Sequence, residues 1–307
     1  MKKKIRAWGI RYVTKLEFKT DIEFTGFTEI EEISKPDVEG EKLWKYLFTR
    51  NPSFGGVSCN FYGVPGSGKT SLMLRLCRKI FNTYPNETIF WRENHNLPIQ
   101  ILKLGLPVNF FTDNKLKIQI KELTPNGPIP TKDYKARIFR SPKELIDMIE
   151  PGVINCVYYE HRTGWLKLMD RMKTNHSWQS FFIDEGEDLF PAYAKDKEWH
   201  LNTTFSNSFK ELRKCRISIY CNSQTDWDFD PRIKSKLMLE VFLYGAKKNK
   251  DSPLLKSVVQ DIQLGQGWIV YARSRFGKFT FDPVEPLEKM YIAIPKYHKG
   301  VKRKGST

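Results

Sequence analysis

Residues 63–70 read Gly-Val-Pro-Gly-Ser-Gly-Lys-Thr, matching G-x-x-x-x-G-K-[ST] at every fixed position. Its glycines let the backbone curl so that successive N–H groups point inward at phosphate oxygens. Gly63, Val64, Pro65, Gly66, Ser67, Gly68, Lys69, Thr70 and Ser71 are therefore the expected nucleotide-binding residues. Lys69 would reach the β and γ phosphates, and the Thr70 hydroxyl would ligate Mg²⁺. A chance match in a chain of 307 residues is on the order of 1%. The second constellation is Ser180-Phe181-Phe182-Ile183-Asp184-Glu185, an apolar run ending in two acids. Asp184 would hold Mg²⁺, directly or through water, and Glu185 would orient and polarise an attacking water. A protein that only bound phosphate would not need the second acid.

A third segment runs from Arg213 to Gln224. Gln224 closes an apolar strand, where it could sense the γ-phosphate or the attacking water; a polar strand cap is the plainer alternative. Arg213 or Arg216 could supply positive charge to a transition state, in a neighbouring subunit's site. An arginine at a helix C-terminus is also what the helix dipole favours, and for Arg216 that structural role is preferred.

These side chains need strands and helices to aim them. Val57–Tyr62 reads as a buried strand, and Lys69–Asn82 as a helix with Leu72, Leu76 and Ile80 on one face. Strand, loop and helix thus follow in the order a phosphate loop requires. Further strands are predicted at Thr88–Trp91, Val153–Tyr159, Phe181–Ile183, Ile217–Cys221 and Met238–Tyr244. Helices are predicted at Pro142–Ile149 (N-capped by Ser141), Gly164–Lys173 and Phe205–Arg213. Trp268–Ala272 and Lys278–Phe281 read as a hairpin around Arg275-Phe276-Gly277. Short apolar strands separated by helices imply an α/β fold with a mostly parallel central sheet flanked by helices.

Residues 1–50 read as an N-terminal β-like arm, with strand-like runs at Ile5–Val13 and Asp21–Phe27 and an acidic stretch at Glu29–Glu41. Residues 51–285 read as the core. Within it, 93–140 reads as an insertion, because Asn, Gly and Pro clusters break the α/β alternation there, apart from a half-exposed strand at Lys115–Ile120. Residues 286–307 read as a basic tail.

Lys plus Arg number 51 against 35 Asp plus Glu, a formal charge of +16. That excess favours polyanionic partners, either nucleic acid or an anionic membrane surface. Candidate contacts are Lys115, Lys117, Lys121, Lys132, Lys135, Arg137, the run Lys247–Lys250 and the tail. Trp227 and Phe229 read as packing residues rather than base-stacking ones. The five cysteines form no C-x-x-C pair, which argues against a disulfide scaffold or a zinc site. A reducing cytoplasm is the expected compartment. No run approaches the roughly 18 apolar residues of a membrane span.

Three segments together resemble the FtsK–HerA superfamily of DNA-pumping ATPases, which includes viral genome-packaging ATPases and zonula-occludens-toxin-like proteins. They are the loop at 63–70, Ile183-Asp184-Glu185-Gly186-Glu187-Asp188-Leu189, and Arg213 to Gln224. The resemblance spans roughly residues 55–245. Where that family often has Gly, this chain has Arg216. The resemblance implies a RecA-like P-loop NTPase core, Mg-ATP, double-stranded DNA as partner, and a hexameric ring with nucleotide at subunit interfaces. It also implies an arginine at position 213 acting across the interface, with Arg232 as a rival, and a viral capsid or secretion partner. A membrane-associated virion-assembly ATPase and a nucleotide-dependent scaffold are the alternative functions; Glu185 argues against the scaffold.

Overall fold

The computed structural model describes residues 38–192, 196–225, 227, 229–247, 254, 256–282 and 288–296. The expected strands at Ile5–Val13 and Asp21–Phe27, the lysines at 248 and 250, and the tail from 297 lie outside the described residues.

The first described element is helix α1 (Val38–Phe48), inside the stretch expected as an N-terminal arm. Leu43 and Leu47 recur at a spacing of four and are buried, while Glu41 and Lys45 pair across one turn at 3.0 Å. That amphipathic spacing makes the end of the acidic stretch helical. Then come β1 (Ser58–Tyr62), α2 (Lys69–Thr83), β2 (Thr88–Arg92), β3 (Val108–Asp113), β4 (Ile118–Thr124), β5 (Gly127–Pro130) and β6 (Ala136–Phe139). Next are α3 (Pro142–Met148), β7 (Ile154–Tyr158), α4 (Arg162–Met172), β8 (Gln179–Ile183), α5 (Gly186–Leu189), α6 (Asp196–Lys214) and β9 (Ile217–Ser223). The rest is α7 (Pro231–Lys234), β10 (Leu239–Leu243), α8 (Lys256–Gln260), β11 (Gln266–Tyr271), β12 (Arg275–Thr280) and β13 (Met290–Pro295).

Ten strands form one sheet in the order β12-β11-β10-β1-β9-β8-β2-β7-β3-β6. From β10 to β6 every pairing is parallel. The hairpin β11–β12 adds antiparallel to β10 at one edge. All residues of β1, β7, β8, β9 and β10 are buried, as expected of a sheet covered on both faces. Alternation within the strands divides the core. Trp91, Phe182 and Tyr220 stack in a ladder toward the α1 and α2 face, with centroids 5.5 and 4.8 Å apart. Phe90, Phe181 and Ile183 point to the α4 and α6 face.

Two boundaries differ from the sequence reading. The 93–140 stretch is not a separate insertion, since β3 and β6 extend the main sheet beyond β7. Only β4 and β5 leave it, joining β13 in a three-stranded antiparallel sheet. Part of the expected tail is thus a strand. Its partner β4 lies some 170 residues earlier, so local composition could not reveal it. The hairpin is correct, but its turn falls at Ala272 and Arg273, both at positive φ, rather than at residues 275–277. No helix among the described residues is long and apolar enough to cross a membrane.

At the amino ends of the strands Arg50 is fully enclosed. Its Nε and Nη2 donate to the Glu87 carboxylate at 2.7 Å each, Nη2 to Ser180 Oγ at 2.9 Å, and Nη1 to Tyr220 OH at 3.2 Å. The Glu87 side chain is fully buried. Glu87→Ala would leave the guanidinium buried and uncompensated, which costs about 3–5 kcal/mol. Urea unfolding is expected to show a loss of that size.

Candidate nucleotide-binding and hydrolytic site

The glycine loop connects the carboxyl end of β1 to the first turn of α2. Gly66 and Gly68 have φ of 82° and 92°, conformations that a β-carbon disfavours. Gly63 faces Ser67 so closely that a β-carbon there would strike the Ser67 hydroxyl. The Lys69 ammonium turns back onto the loop, donating to Gly63 O at 2.5 Å and Val64 O at 3.0 Å. Burial lowers its pKa, while Glu187, Asp184 and Glu185 oppose that shift in this order.

Strand β8 delivers the two acids beside the loop. Thr70 Oγ1 donates to Asp184 Oδ1 at 3.2 Å. One hydroxyl and one carboxylate oxygen this close make a hard-oxygen donor pair. Mg²⁺ takes such a pair, completing its octahedron with phosphate and water. Thr70 and Asp184 are therefore the residues that would hold the ion.

Glu185 has φ of 53°, unusual for a residue with a side chain. Three groups hold the turn in place. Arg92 Nη1 donates to the carbonyls of Asp184 (2.5 Å) and Glu185 (3.2 Å). Asn222 Oδ1 accepts from the Glu185 N–H at 2.8 Å, and Asn222 Nδ2 donates to the Asp184 carboxylate. Asn94 Nδ2 donates to Glu185 Oε2. Burial, with the negative charges of Asp184 and Asp188, raises the Glu185 pKa.

Asn222, Asn94 and Arg92 were missed in the sequence reading. A fully buried asparagine inside Ile-Ser-Ile-Tyr-Cys-Asn-Ser was the available signal for the first. The other two carry no local signal, because β2 becomes a neighbour of β8 only in the folded sheet. Gln224 is exposed, and its backbone N–H donates to Glu187 Oε1 at 3.3 Å. The β9 side chain that reaches Asp184 is Asn222, two residues earlier. Burial pushes Glu187 up to about 7.

Arg213, Arg216 and Arg232 make their contacts elsewhere. Arg213 donates to Gly56 O at 3.1 Å and Phe54 O at 3.3 Å. Those carbonyls precede β1, one strand length (about 17 Å) from the loop, so Arg213 does not touch the phosphate loop of this chain. Arg216 has φ of 62°. A glycine would be the unstrained choice in this left-handed turn. Its Nη1 donates to His176 O at 3.0 Å. Arg232 is clamped on the buried Asp230 carboxylate at 3.1 and 2.7 Å and lies 5.0 Å from the Trp199 ring centroid. Phe229 is buried, but Trp227 is 51% exposed, so the expected packing role holds only for the phenylalanine. Lys115, Lys132, Lys135 and Arg137 are exposed.

No family model and no curated protein matches the chain. Several solved structures resemble it in part. The genome packaging NTPase B204 from Sulfolobus turreted icosahedral virus 2, in complex with ATP-gammaS, is 13% identical. That alignment covers 77% of this chain and 100% of the other, with a TM-score of 0.49. EssC (ATPases 2 and 3) from Geobacillus thermodenitrificans is 12% identical over 78% of this chain and 41% of the other, with a TM-score of 0.47. The N-terminal domain of zonular occludens toxin from Neisseria meningitidis is 12% identical over 80% and 96%, with a TM-score of 0.32. The functional reading rests on the chain's own residues.

Beside Asn94, Glu93 is buried and pushed up to about 8. Burial is the main cause, opposed by a hydrogen bond from the Ile101 N–H and assisted by Asp184. Between pH 4.5 and 8 the folded protein therefore holds a proton that the unfolded chain releases, and stability falls as pH rises. Glu93→Gln can keep the bond from Ile101 but cannot ionise. Relative to the parent it should gain roughly 3–4 kcal/mol between pH 5 and pH 8. Urea midpoints at the two pH values check this; a difference independent of pH would refute it.

Proposed function

We propose that the chain is an ATP-hydrolysing motor that translocates or packages double-stranded DNA as a hexameric ring, with nucleotide at the subunit interfaces. One observation carries the hydrolytic part: the glycine loop, Thr70, Asp184 and Glu185 converge at one end of the sheet, with 3.2 Å between the Thr70 hydroxyl and Asp184. A loop that only held phosphate would not need an acid fixed beyond the metal ligands.

The residues divide the work. Backbone N–H groups of residues 66–71 and the α2 N-terminus bind the phosphates. Lys69 exchanges its bonds to Gly63 O and Val64 O for bonds to β- and γ-phosphate oxygens. Thr70 and Asp184 would hold Mg²⁺, which would neutralise charge on the β and γ phosphates. Asn94 takes Oε2 of Glu185, leaving Oε1 to accept a proton from water as that water attacks the γ-phosphorus and ADP departs. Asn222 ties Asp184 to the Glu185 backbone, so the metal ligand and the base keep a fixed separation. Gln224 would monitor the γ-phosphate from the end of β9, and Arg213 would act on a neighbouring subunit's nucleotide, with Arg216 and Arg232 more firmly committed to contacts of their own.

The DNA part is supported by the +16 charge and by exposed Lys115, Lys132, Lys135 and Arg137. Moving duplex past a ring calls for phosphate contacts that ignore sequence and weaken with salt.

Duplex DNA is expected to stimulate ATP hydrolysis, and the stimulation should fall as salt rises. Glu185→Gln should lower kcat by about 10²–10⁴ while ATP still binds. Negligible turnover by the parent protein, with ATP binding intact and no response to DNA, would sink the motor reading. A monomer under all nucleotide conditions would sink the ring.

A further inference from the structure

The edge hairpin β11–β12 ends beside the phosphate loop, and the sheet register shows why. Leu243 pairs with Gly267, Gly267 with Phe279, and Gln266 with Thr280. The start of β11 and the end of β12 therefore lie level with the carboxyl end of β10. Strand β10 is in turn the parallel neighbour of β1, so these ends and the phosphate loop lie at the same end of the sheet. The Val64 N–H donates to Tyr244 O at 3.2 Å, joining the loop to the chain leaving β10.

Phe281 follows β12 directly. Its backbone N–H donates to Gly265 O at 2.8 Å, and Gly265 has the positive φ (83°) that this approach requires. Phe279 supports the ring from the core, with centroids 6.0 Å apart. The Phe281 ring rests on the loop itself: a β-carbon built on Gly68 would lie 2.7 Å from its Cε2. The ring is only half-buried. Beyond it, Asp282 pairs with Arg75 of α2 at 3.9 Å, an exposed and therefore weak tie.

The direction of a bound nucleotide follows from the other side of β1. Thr70, Asp184 and Glu185 mark the γ-phosphate end, toward β9 and β8. The α-phosphate and the nucleoside then leave toward β10, β11 and β12. Phe281 is an aromatic ring on that side that touches the loop.

We propose that Phe281 is the wall of the nucleoside subsite, its ring packing against the base or ribose of a nucleotide whose phosphates sit on residues 63–71. This rests on the nucleotide reading of the loop. Base stacking on an aromatic side chain is sequence-tolerant and worth a tenfold change in affinity or more.

Calorimetric titration with ATP and with inorganic tripolyphosphate, both with Mg²⁺, separates nucleoside contacts from phosphate contacts. Phe281→Ala should weaken ATP at least tenfold and leave tripolyphosphate within about twofold. Phe281→Trp should restore ATP affinity. Unchanged tripolyphosphate binding by Phe281→Ala also shows that the loop is still folded. Tyr244→Ala is the comparison variant, because Tyr244 is an exposed aromatic at the same edge. The proposal is overturned if Phe281→Ala binds ATP as the parent does, if it weakens or tightens both ligands equally, or if Tyr244→Ala alone abolishes the preference for ATP. If the parent protein binds neither ligand, the nucleotide reading itself fails.

Discussion

The site depends on where three parallel strands stop. Tyr62 at the end of β1 pairs with Ser223, and Ile183 at the end of β8 pairs with Cys221. Strand β9 therefore runs two residues beyond the register of Cys221, to Ser223, which sets Asn222 beside Asp184. A slip of one residue along β9 would turn Asn222 into the opposite face. Parallel pairing locks that register, because all three strands are buried on both faces and alternate residues pack into separate cores.

On that frame sits a turn that would not hold itself. Glu185 takes a left-handed conformation that costs roughly 1–2 kcal/mol for a residue with a β-carbon. Arg92 and Asn222 bind its backbone from two neighbouring strands, and Asn94 binds its carboxylate. Four acids within five residues, Asp184, Glu185, Glu187 and Asp188, would repel one another. Lys69 and Arg92 offset that repulsion, and Arg92 lies 3.7 Å from Asp188. The cost of keeping this charge partly buried appears in the raised pKa values of Glu185 and Glu187.

The two ends of the sheet have different tasks. At the amino end, Arg50, Glu87, Ser180 and Tyr220 form a closed polar lock, and Arg213 and Arg216 cap loops with their guanidinium groups. At the carboxyl end, polar groups remain half-exposed around the loop. The antiparallel edge hairpin belongs to the second end, because reversing chain direction brings the residues after β12 back to the side where β10 exits.

The sequence by itself determined the features that are local. The glycine loop, its strand and its helix follow one another within about twenty-five residues, and the spacing of apolar residues sets their type. The same holds for the run ending in Asp184 and Glu185, and for Ser141, whose hydroxyl accepts from the Glu144 N–H at 3.2 Å. Only the tertiary structure decided what stands beside them. Asn94, Arg92 and Asn222 reach the acids because β2, β8 and β9 became neighbours, and β3, β6 and β13 found partners that composition could not show. Strand adjacency is a long-range choice made by the packing of the whole sheet, so its consequences are not written in any one segment.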